Sequence, residues 1–213
     1  MARSVGVVDY GMGNLQSLSR ALDFIGAKPF LTNDPDAVRS ADYLVLPGVG
    51  AFGACAANLR SAGMVEPILD FVKAGKPFLG ICVGMQLLFD CSFEFGSHVG
   101  LGLISGLVSA IPSEGPNRPR KIPHIGWGTL QLPAARQSWA GTLFDRMEPG
   151  RSAAYFIHSY SAQPRSAADT LGMVDYHGYE ICAAVQRDNV IGLQFHPEKS
   201  SSVGLAILSR FLD

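Results

Sequence analysis

A cysteine between two glycines is the clearest candidate for chemistry in this chain. Residues 80–84 read GICVG, and Cys82 follows an apolar run that begins at Pro77. The pattern is typical of a nucleophile elbow, a sharp turn between a strand and a helix, with sulfur in place of a serine hydroxyl. Glycine is needed on both sides because a Cβ there would collide with the neighbouring backbone.

The residues after Cys82 indicate how its thiol could be activated. Residues 85–89 (MQLLF) predict the first turns of a helix. The N-terminus of a helix favours an anion, so we expect the reactive thiolate form at Cys82. The alternative is that Cys82 is a small buried core residue, as most free cysteines are.

A histidine and a glutamate near the other end of the chain could complete a catalytic group. Residues 190–195 (VIGLQF) read as a strand, and His196, Pro197 and Glu198 follow directly. A histidine at a strand end can take the thiol proton, and a carboxylate two residues on can hold its imidazole in one tautomer. Cys82, His196 and Glu198 are therefore a candidate triad. Without Cys82, His196 would read as an ordinary loop residue.

A third segment could hold the negative charge that acyl transfer develops. The apolar strand at 43–46 leads into residues 47–50, which read PGVG. The backbone N–H groups of Val49, Gly50 and Val83 are candidates for an oxyanion hole, and Gly48 is a candidate substrate contact. Read alone, the segment is equally a plain strand-to-helix turn.

Alternating strand-like and helix-like segments predict an α/β fold with a mostly parallel central sheet flanked by helices. The helix after the first strand has its apolar residues on one face and stops at Gly26. The strands expected in the first half of the chain are 5–8, 29–31, 43–46 and 78–81, and a last helix is expected at about 203–212.

The second half of the chain has shorter strand-like segments. Turn signals at 177–178 and 188–189 interrupt the stretch 103–194, which predicts an antiparallel extension on the same sheet. We see no linker, so we expect residues 1–213 to be one domain. Four prolines in 112–123 predict an irregular surface loop. Its basic residues Arg118, Arg120 and Lys121 are expected to be solvated or to contact a partner.

Composition narrows the function classes. With 213 residues, a net charge of −1 and only 16% charged residues, the chain gives no electrostatic reason to expect nucleic acid or an anionic membrane. We also expect no signal peptide and no membrane span. The cysteines show no metal-binding or disulfide pattern, which favours a reducing cytoplasm. They are Cys55, Cys82, Cys91 and Cys182.

Taken together, the three segments resemble the class I glutamine amidotransferases, which hydrolyse glutamine at a Cys-His-Glu triad and pass ammonia to a synthase. The resemblance extends from residues 9–14 (DYGMGN) through 47–50 and the elbow to 195–200 (FHPEKS). Residues 123–127 (PHIGW) and 155–160 (YFIHSY) are similar to the glutaminase subunits of imidazole glycerol phosphate synthases, from histidine biosynthesis.

The resemblance implies further roles. It implies that Gln86 and Glu94 hold glutamine, with Ser159 and Tyr160 at its carboxylate end. It implies a heterodimer with a (β/α)₈-barrel cyclase subunit and no cofactor. Because the glycines of residues 48–50 indicate a flexible loop, we expect low glutaminase activity until the partner and its ligand are bound. The residues that the resemblance suggests for the partner interface are Asn14, Trp127 and Lys199.

One position departs from the family pattern, and it leaves room for a different function. Gly128 stands where asparagine usually follows Gly-Trp, which removes an expected interface side chain and leaves open a paralogue that feeds another synthase, such as one making a surface sugar. A cysteine peptidase-like hydrolase and a non-catalytic partner protein are two more candidate functions. A dinucleotide site at residues 11–16 is disfavoured, because Gln16 occupies the third glycine position of that motif.

Overall fold

The computed structural model describes residues 3–115 and 119–213. Its helices are α1 (Leu15–Phe24), α2 (Pro35–Ser40), α3 (Phe52–Ser61), α4 (Val65–Lys73), α5 (Val83–Gln86) and α6 (Ser201–Phe211). Its strands are β1 (Ser4–Val8), β2 (Lys28–Thr32), β3 (Tyr43–Gly48), β4 (Phe78–Cys82), β5 (Phe89–Ser92), β6 (His98–Val99), β7 (Ile104–Ala110), β8 (His124–Thr129), β9 (Ala153–His158), β10 (Tyr160–Pro164), β11 (Thr170–Asp175), β12 (Glu180–Arg187) and β13 (Val190–Leu193).

A seven-stranded sheet in the order β11-β12-β13-β4-β3-β1-β2 forms the centre of the fold. Strands β1 to β4 and β13 run parallel, as predicted, and β11 and β12 are antiparallel to their neighbours. The side chains of β4 are all buried, because helices cover both faces of a parallel sheet. Strands β3, β4 and β13 are adjacent, so the loops after them meet at one edge.

The predicted antiparallel extension is only partly on this sheet. Strands β11 to β13 join it, with the predicted turns at 177–178 and 188–189 between them. The prediction is wrong for the other strands, because β10-β7-β5-β6 form a separate sheet and β8-β9 form a third. The chain leaves the central sheet after α5, and β5 pairs in parallel with β7 instead of with a central strand.

The helix predicted over residues 85–89 is also wrong in extent. Helix α5 is a single turn that ends at Gln86, and β5 begins at Phe89. The carbonyls of Leu87 and Leu88 accept hydrogen bonds from Leu101 and Leu103, so they are unavailable to continue a helix. A fully buried apolar run of this length does not distinguish helix from strand by periodicity.

The terminal helices follow the predictions closely. Helix α1 buries Leu18 and Leu22 against the sheet, and Gly26 after it adopts φ +84°. This left-handed conformation is the usual glycine stop of a helix. Helix α6 covers most of the predicted 203–212. Among the described residues, no helix is long and apolar enough to cross a membrane.

The proline-rich stretch is irregular wherever the structure describes it, but one of its basic residues is not solvated. Arg120 is 8% exposed, and its guanidinium donates to the carbonyls of Tyr176, His177 and Pro112. The expectation of a solvated or partner-binding Arg120 is therefore wrong, because these carbonyls replace its hydration. Lys121 is exposed, and Arg118 lies outside the described residues.

Candidate active site

The elbow has the backbone that its glycines predict. Cys82 has φ +56° and ψ −112°, a strained conformation for a residue with a side chain. A Cβ on Gly80 would lie 2.6 Å from the carbonyl oxygen of Gly84, and a Cβ on Gly84 would lie 1.9 Å from that of Leu46. Both glycines are thus required by backbone packing, and the tight turn holds Cys82 at the end of β4.

Strand register brings the loops to this cysteine. Gly48 at the end of β3 pairs with Cys82, and Leu193 at the end of β13 pairs with Ile81. His196 follows Leu193 by three residues, and it lines the same cavity as Cys82. Residues far apart in the chain therefore meet because their strands are parallel neighbours.

Two of the three predicted triad side chains, those of His196 and Glu198, are in contact, and both are buried. Nδ1 of His196 lies 2.8 Å from Oε1 of Glu198, which leaves Nε2 of the imidazole for the thiol. The side chains of His196 and Glu198 are 6% and 3% exposed. Burial alone would lower the pKa of His196, but the nearby Cys82 sulfur and the hydrogen-bonded Glu198 carboxylate outweigh it and raise the pKa to about 10. The imidazole is therefore favoured in its protonated form beside the sulfur.

The turn that carries His196 is fixed by a serine to which the sequence analysis assigned no role. The Ser200 hydroxyl donates to the carbonyl of His196 at 2.7 Å and accepts from the backbone N–H of Tyr155 at 2.9 Å. The N–H of His196 donates to the carbonyl of Tyr155, also at 2.9 Å. Ser200 is fully buried. These bonds attach the His-Pro-Glu turn to β9.

A cavity of about 240 Å³ opens beside the thiol. Many of the residues predicted for the oxyanion hole, the substrate and the interface line it. They are Asn14, Val49, Gly50, Cys82, Val83, Gln86, Glu94, Ser159, Tyr160, His196 and Lys199, and the structure adds Ile157 and His158. Gly48 instead borders a separate cavity of about 10 Å³ beneath the loop, together with Glu198.

The two predicted polar contacts for glutamine are themselves held by hydrogen bonds. Nε2 of Gln86 donates to the carbonyl of Tyr160 and to Oε1 of Gln194, both at 3.0 Å. A carboxylate oxygen of Glu94 accepts from the N–H of Phe52 at the start of α3. Gln194 was missed by the sequence analysis, although a single polar residue in the apolar strand-like segment 190–195 could have signalled it.

Trp127 and Gly128 lie away from this cavity. Trp127 is 57% exposed on β8 and borders a second cavity of about 610 Å³. A Cβ on Gly128 would lie 2.6 Å from Val174 and 3.1 Å from Phe156. A side chain at position 128 would therefore meet Val174 and Phe156, and the expected loss of an interface contact there stays a prediction. Among the residues described, no group of three or more His, Cys, Asp or Glu side chains could hold a metal ion.

Comparisons with known proteins agree on a family. A family model described as Glutamine amidotransferase class-I matches residues 6–213. The chain is 45% identical over 210 residues to "Imidazole glycerol phosphate synthase subunit HisH 1" of Legionella pneumophila (strain Lens), with 98% of each chain covered. It is 47% identical over 211 residues to a subunit HisH of Syntrophotalea carbinolica, with 97% and 98% covered.

A solved structure shows the same fold. The "Structure of PurLQS from Thermotoga maritima" contains a chain that superposes with a TM-score of 0.76 at 21% identity, covering 100% of this chain and 98% of that one. A "Crystal structure of glutamine amidotransferase" superposes with a TM-score of 0.72 at 16% identity, covering 98% of this chain and 99% of that one. At this identity the likeness concerns the fold alone.

Proposed function

Because the chain belongs to the class-I glutamine amidotransferase family, we propose that it is the glutaminase subunit of an imidazole glycerol phosphate synthase. It hydrolyses glutamine to glutamate and ammonia, and the ammonia passes to a (β/α)₈-barrel cyclase subunit in histidine biosynthesis. The observation that carries the proposal is that Cys82 and His196 line one cavity, while Nδ1 of His196 lies 2.8 Å from Oε1 of Glu198. Relatives that are 45% and 47% identical along nearly their whole length carry that subunit's name.

The chemistry begins at the thiol. His196, oriented by Glu198, holds the proton that has left Cys82, and the thiolate attacks the side-chain amide carbon of glutamine. The carbon–nitrogen bond then breaks, the nitrogen takes the proton from His196, and ammonia leaves a glutamyl thioester. His196 next takes a proton from water, which attacks the thioester, and the returning proton regenerates the thiol as glutamate leaves.

Backbone groups stabilise the intermediate. The N–H of Val83 follows the nucleophile directly, and Val49 and Gly50 line the same cavity from the end of β3. Such donors act on the oxygen that becomes negative as the tetrahedral intermediate forms, and removing one costs about 10²-fold in rate. Gln86 and Glu94 contact the bound glutamine, and Ser159 and Tyr160 contact its carboxylate end.

The partner covers the mouth of the cavity. Asn14 and Lys199 line that cavity, so a subunit that receives ammonia there would touch both. Trp127 and Ile125 are 57% and 55% exposed on β8 and offer an apolar surface to the same subunit. The heterodimer acts in the cytoplasm, where its free thiols remain reduced. Residues 1–213 form one glutaminase domain.

The experiment measures glutamate release by the full chain, alone and with the cyclase subunit. We expect low release alone, a large increase with the cyclase subunit and its ligand, and no release from Cys82→Ala in either case. The cyclase with Cys82→Ala should still make product from added ammonia. Full turnover without the partner would contradict the activation, and cleavage of peptides instead of glutamine would indicate a peptidase. Copurification of a different synthase would identify a paralogue.

A further inference from the structure

A pair of buried histidines links the second cavity to the glutamine pocket. His124 on β8 borders the 610 Å³ cavity but is only 3% exposed, and its ring stacks on those of Phe156 and Tyr176 at centroid distances of 5.0 and 4.1 Å. His158 on β9 borders the glutamine pocket. Nδ1 of His124 lies 3.0 Å from Nε2 of His158. Since β8 and β9 pair in register at these residues, the contact follows from the strands themselves.

The hydrogen bonds continue from this pair to the nucleophile. Nδ1 of His158 lies 2.8 Å from the carbonyl of Tyr160, which also accepts the bond from Gln86. Gln86 donates in turn to Gln194, and Nε2 of Gln194 lies 3.9 Å from the sulfur of Cys82. Gln86 and Gln194 are 3% and 0% exposed. One connected and buried series of contacts thus runs from the edge of the second cavity to the thiol.

The proton order along this series is fixed by chemistry. A carbonyl only accepts, so Nδ1 of His158 must carry hydrogen toward Tyr160. In a neutral ring Nε2 of His158 then accepts, and Nδ1 of His124 must donate to it. Burial lowers the pKa of His158 to about 3, and burial together with nearby His177 lowers that of His124 to about 4. Both rings are therefore neutral at physiological pH, as this order requires.

The same order determines what Gln86 offers to a ligand. Its amide nitrogen has two hydrogens, and both are used by Tyr160 and Gln194. The oxygen Oε1 is then the atom of this amide that is left to accept a hydrogen bond. If the His158 bond were lost, the Tyr160 carbonyl would be held by Gln86 alone. The side-chain amide of Gln86 could then rotate and exchange the positions of its oxygen and nitrogen.

We propose that His124 and His158 are positioning residues of the glutaminase site. Through the Tyr160 carbonyl they hold the amides of Gln86 and Gln194 in the one orientation that suits glutamine beside the thiol. The proposal rests on the proposed function, because it assigns a role in the same pocket. It adds that a residue outside the pocket, His124, sets the affinity for glutamine.

The first test reads the tautomers directly in the unaltered protein. Nitrogen-15 NMR of the histidine rings in the full chain at pH 7 should show His124 and His158 both neutral, with hydrogen on Nδ1. A hydrogen on Nε2 of His124, or a positive charge on either ring, would overturn the proposal. This measurement does not depend on the folding of any variant.

The second test uses two variants of one residue. His124→Phe keeps an aromatic ring but has no donor, whereas His124→Asn places an amide nitrogen close to the position of Nδ1. The readout is protection of Cys82 by glutamine against alkylation with iodoacetamide, followed by mass spectrometry with the partly exposed Cys91 as reference. Phe24→Ala is the control, because Phe24 is 78% exposed on α1 and lies outside the series.

The expected results separate this proposal from the proposed function. His124→Phe should raise the glutamine concentration for half-protection about tenfold, the cost of one buried hydrogen bond. His124→Asn should return it to within about twofold of wild type, and Phe24→Ala should leave it unchanged. Equal protection of wild type and His124→Phe, or no recovery in His124→Asn, would refute the positioning role. No protection of the wild type by glutamine would instead refute the proposed function.

Discussion

A glycine in the last helix limits the position of His196, the proposed catalytic base. Gly204 lies in α6, and a Cβ added to it would lie 1.9 Å from the carbonyl oxygen of Pro197, the residue between His196 and Glu198. Real Cβ contacts essentially never fall under 3.0 Å, so the helix and this turn would have to separate by about 1.1 Å. Gly204→Ala therefore displaces the base without touching the pocket.

The size of the effect differs between activity and stability. A displacement of about 1 Å in a catalytic group costs about 10²-fold in rate. Alanine in a helix interior gains about 1 kcal/mol over glycine, while overpacking costs about 1–3 kcal/mol. We therefore expect Gly204→Ala to lower kcat about 100-fold and the free energy of unfolding by at most about 2 kcal/mol. The KM for glutamine should change little, because Gln86 lies on α5 and Glu94 lies in the loop between β5 and β6, away from α6.

The assay combines steady-state glutamate release, in complex with the cyclase subunit, with urea unfolding of the full chain. Ser202→Ala is the matched control, since Ser202 is exposed on the same helix and gains the same kind of helix propensity. It should keep wild-type kcat. A Gly204→Ala variant with wild-type kcat would refute the reasoning, as would a loss seen only in KM.

Two further variants test the same turn. Ser200→Ala removes the hydroxyl that bonds both His196 and Tyr155. Urea unfolding should therefore give a free energy of unfolding lower by about 2 kcal/mol, and glutamate release should show a lower kcat. An unchanged free energy of unfolding would contradict this. Glu198→Gln removes the carboxylate that helps to raise the pKa of His196 from 6.5 to about 10. In the wild type, the interaction of protonated His196 with Glu198 stabilises the folded state fully below pH 6.5, and this stabilisation is lost as pH rises toward 10. Urea unfolding at a series of pH values should therefore show the largest difference from wild type below pH 6.5, whereas a difference that stays constant with pH would argue against a charged His196.

Local steric rules were enough to predict the elbow and the sheet edge. Close backbone contacts require the glycines around Cys82, so the sequence motif was enough to predict the tight turn. The apolar strands before Gly48, Cys82 and His196 predicted parallel neighbours, and the carboxyl ends of parallel neighbours share an edge. These features depend on residues close in the sequence, which is why the sequence revealed them.

The features that the sequence did not reveal depend on distant pairs. Arg120 resembles a solvated loop residue until the carbonyls of the 176–177 turn are brought to it by folding. The contact between His124 and His158 needs β8 to pair with β9 in one register. The end of α5 at Gln86 depends on Leu101 and Leu103, which capture the carbonyls that a longer helix would use.

The elbow and the His-Pro-Glu turn of the candidate site are held in place by different contacts. Gly84 packs on the carbonyl of Leu46, and Gly48 packs on the N–H of Gly84, so the elbow and the end of β3 form one close-packed unit. The His-Pro-Glu turn is fixed separately, by Ser200 and by the contact of α6. The segment beyond Gly48 is held more loosely: the carbonyl of Val49 accepts a thiol hydrogen bond from Cys55, at 3.4 Å, and Gly50 adopts φ +94°. Since a thiol is a weak donor, we expect the peptide at Val49 to turn more readily than the elbow or the His-Pro-Glu turn.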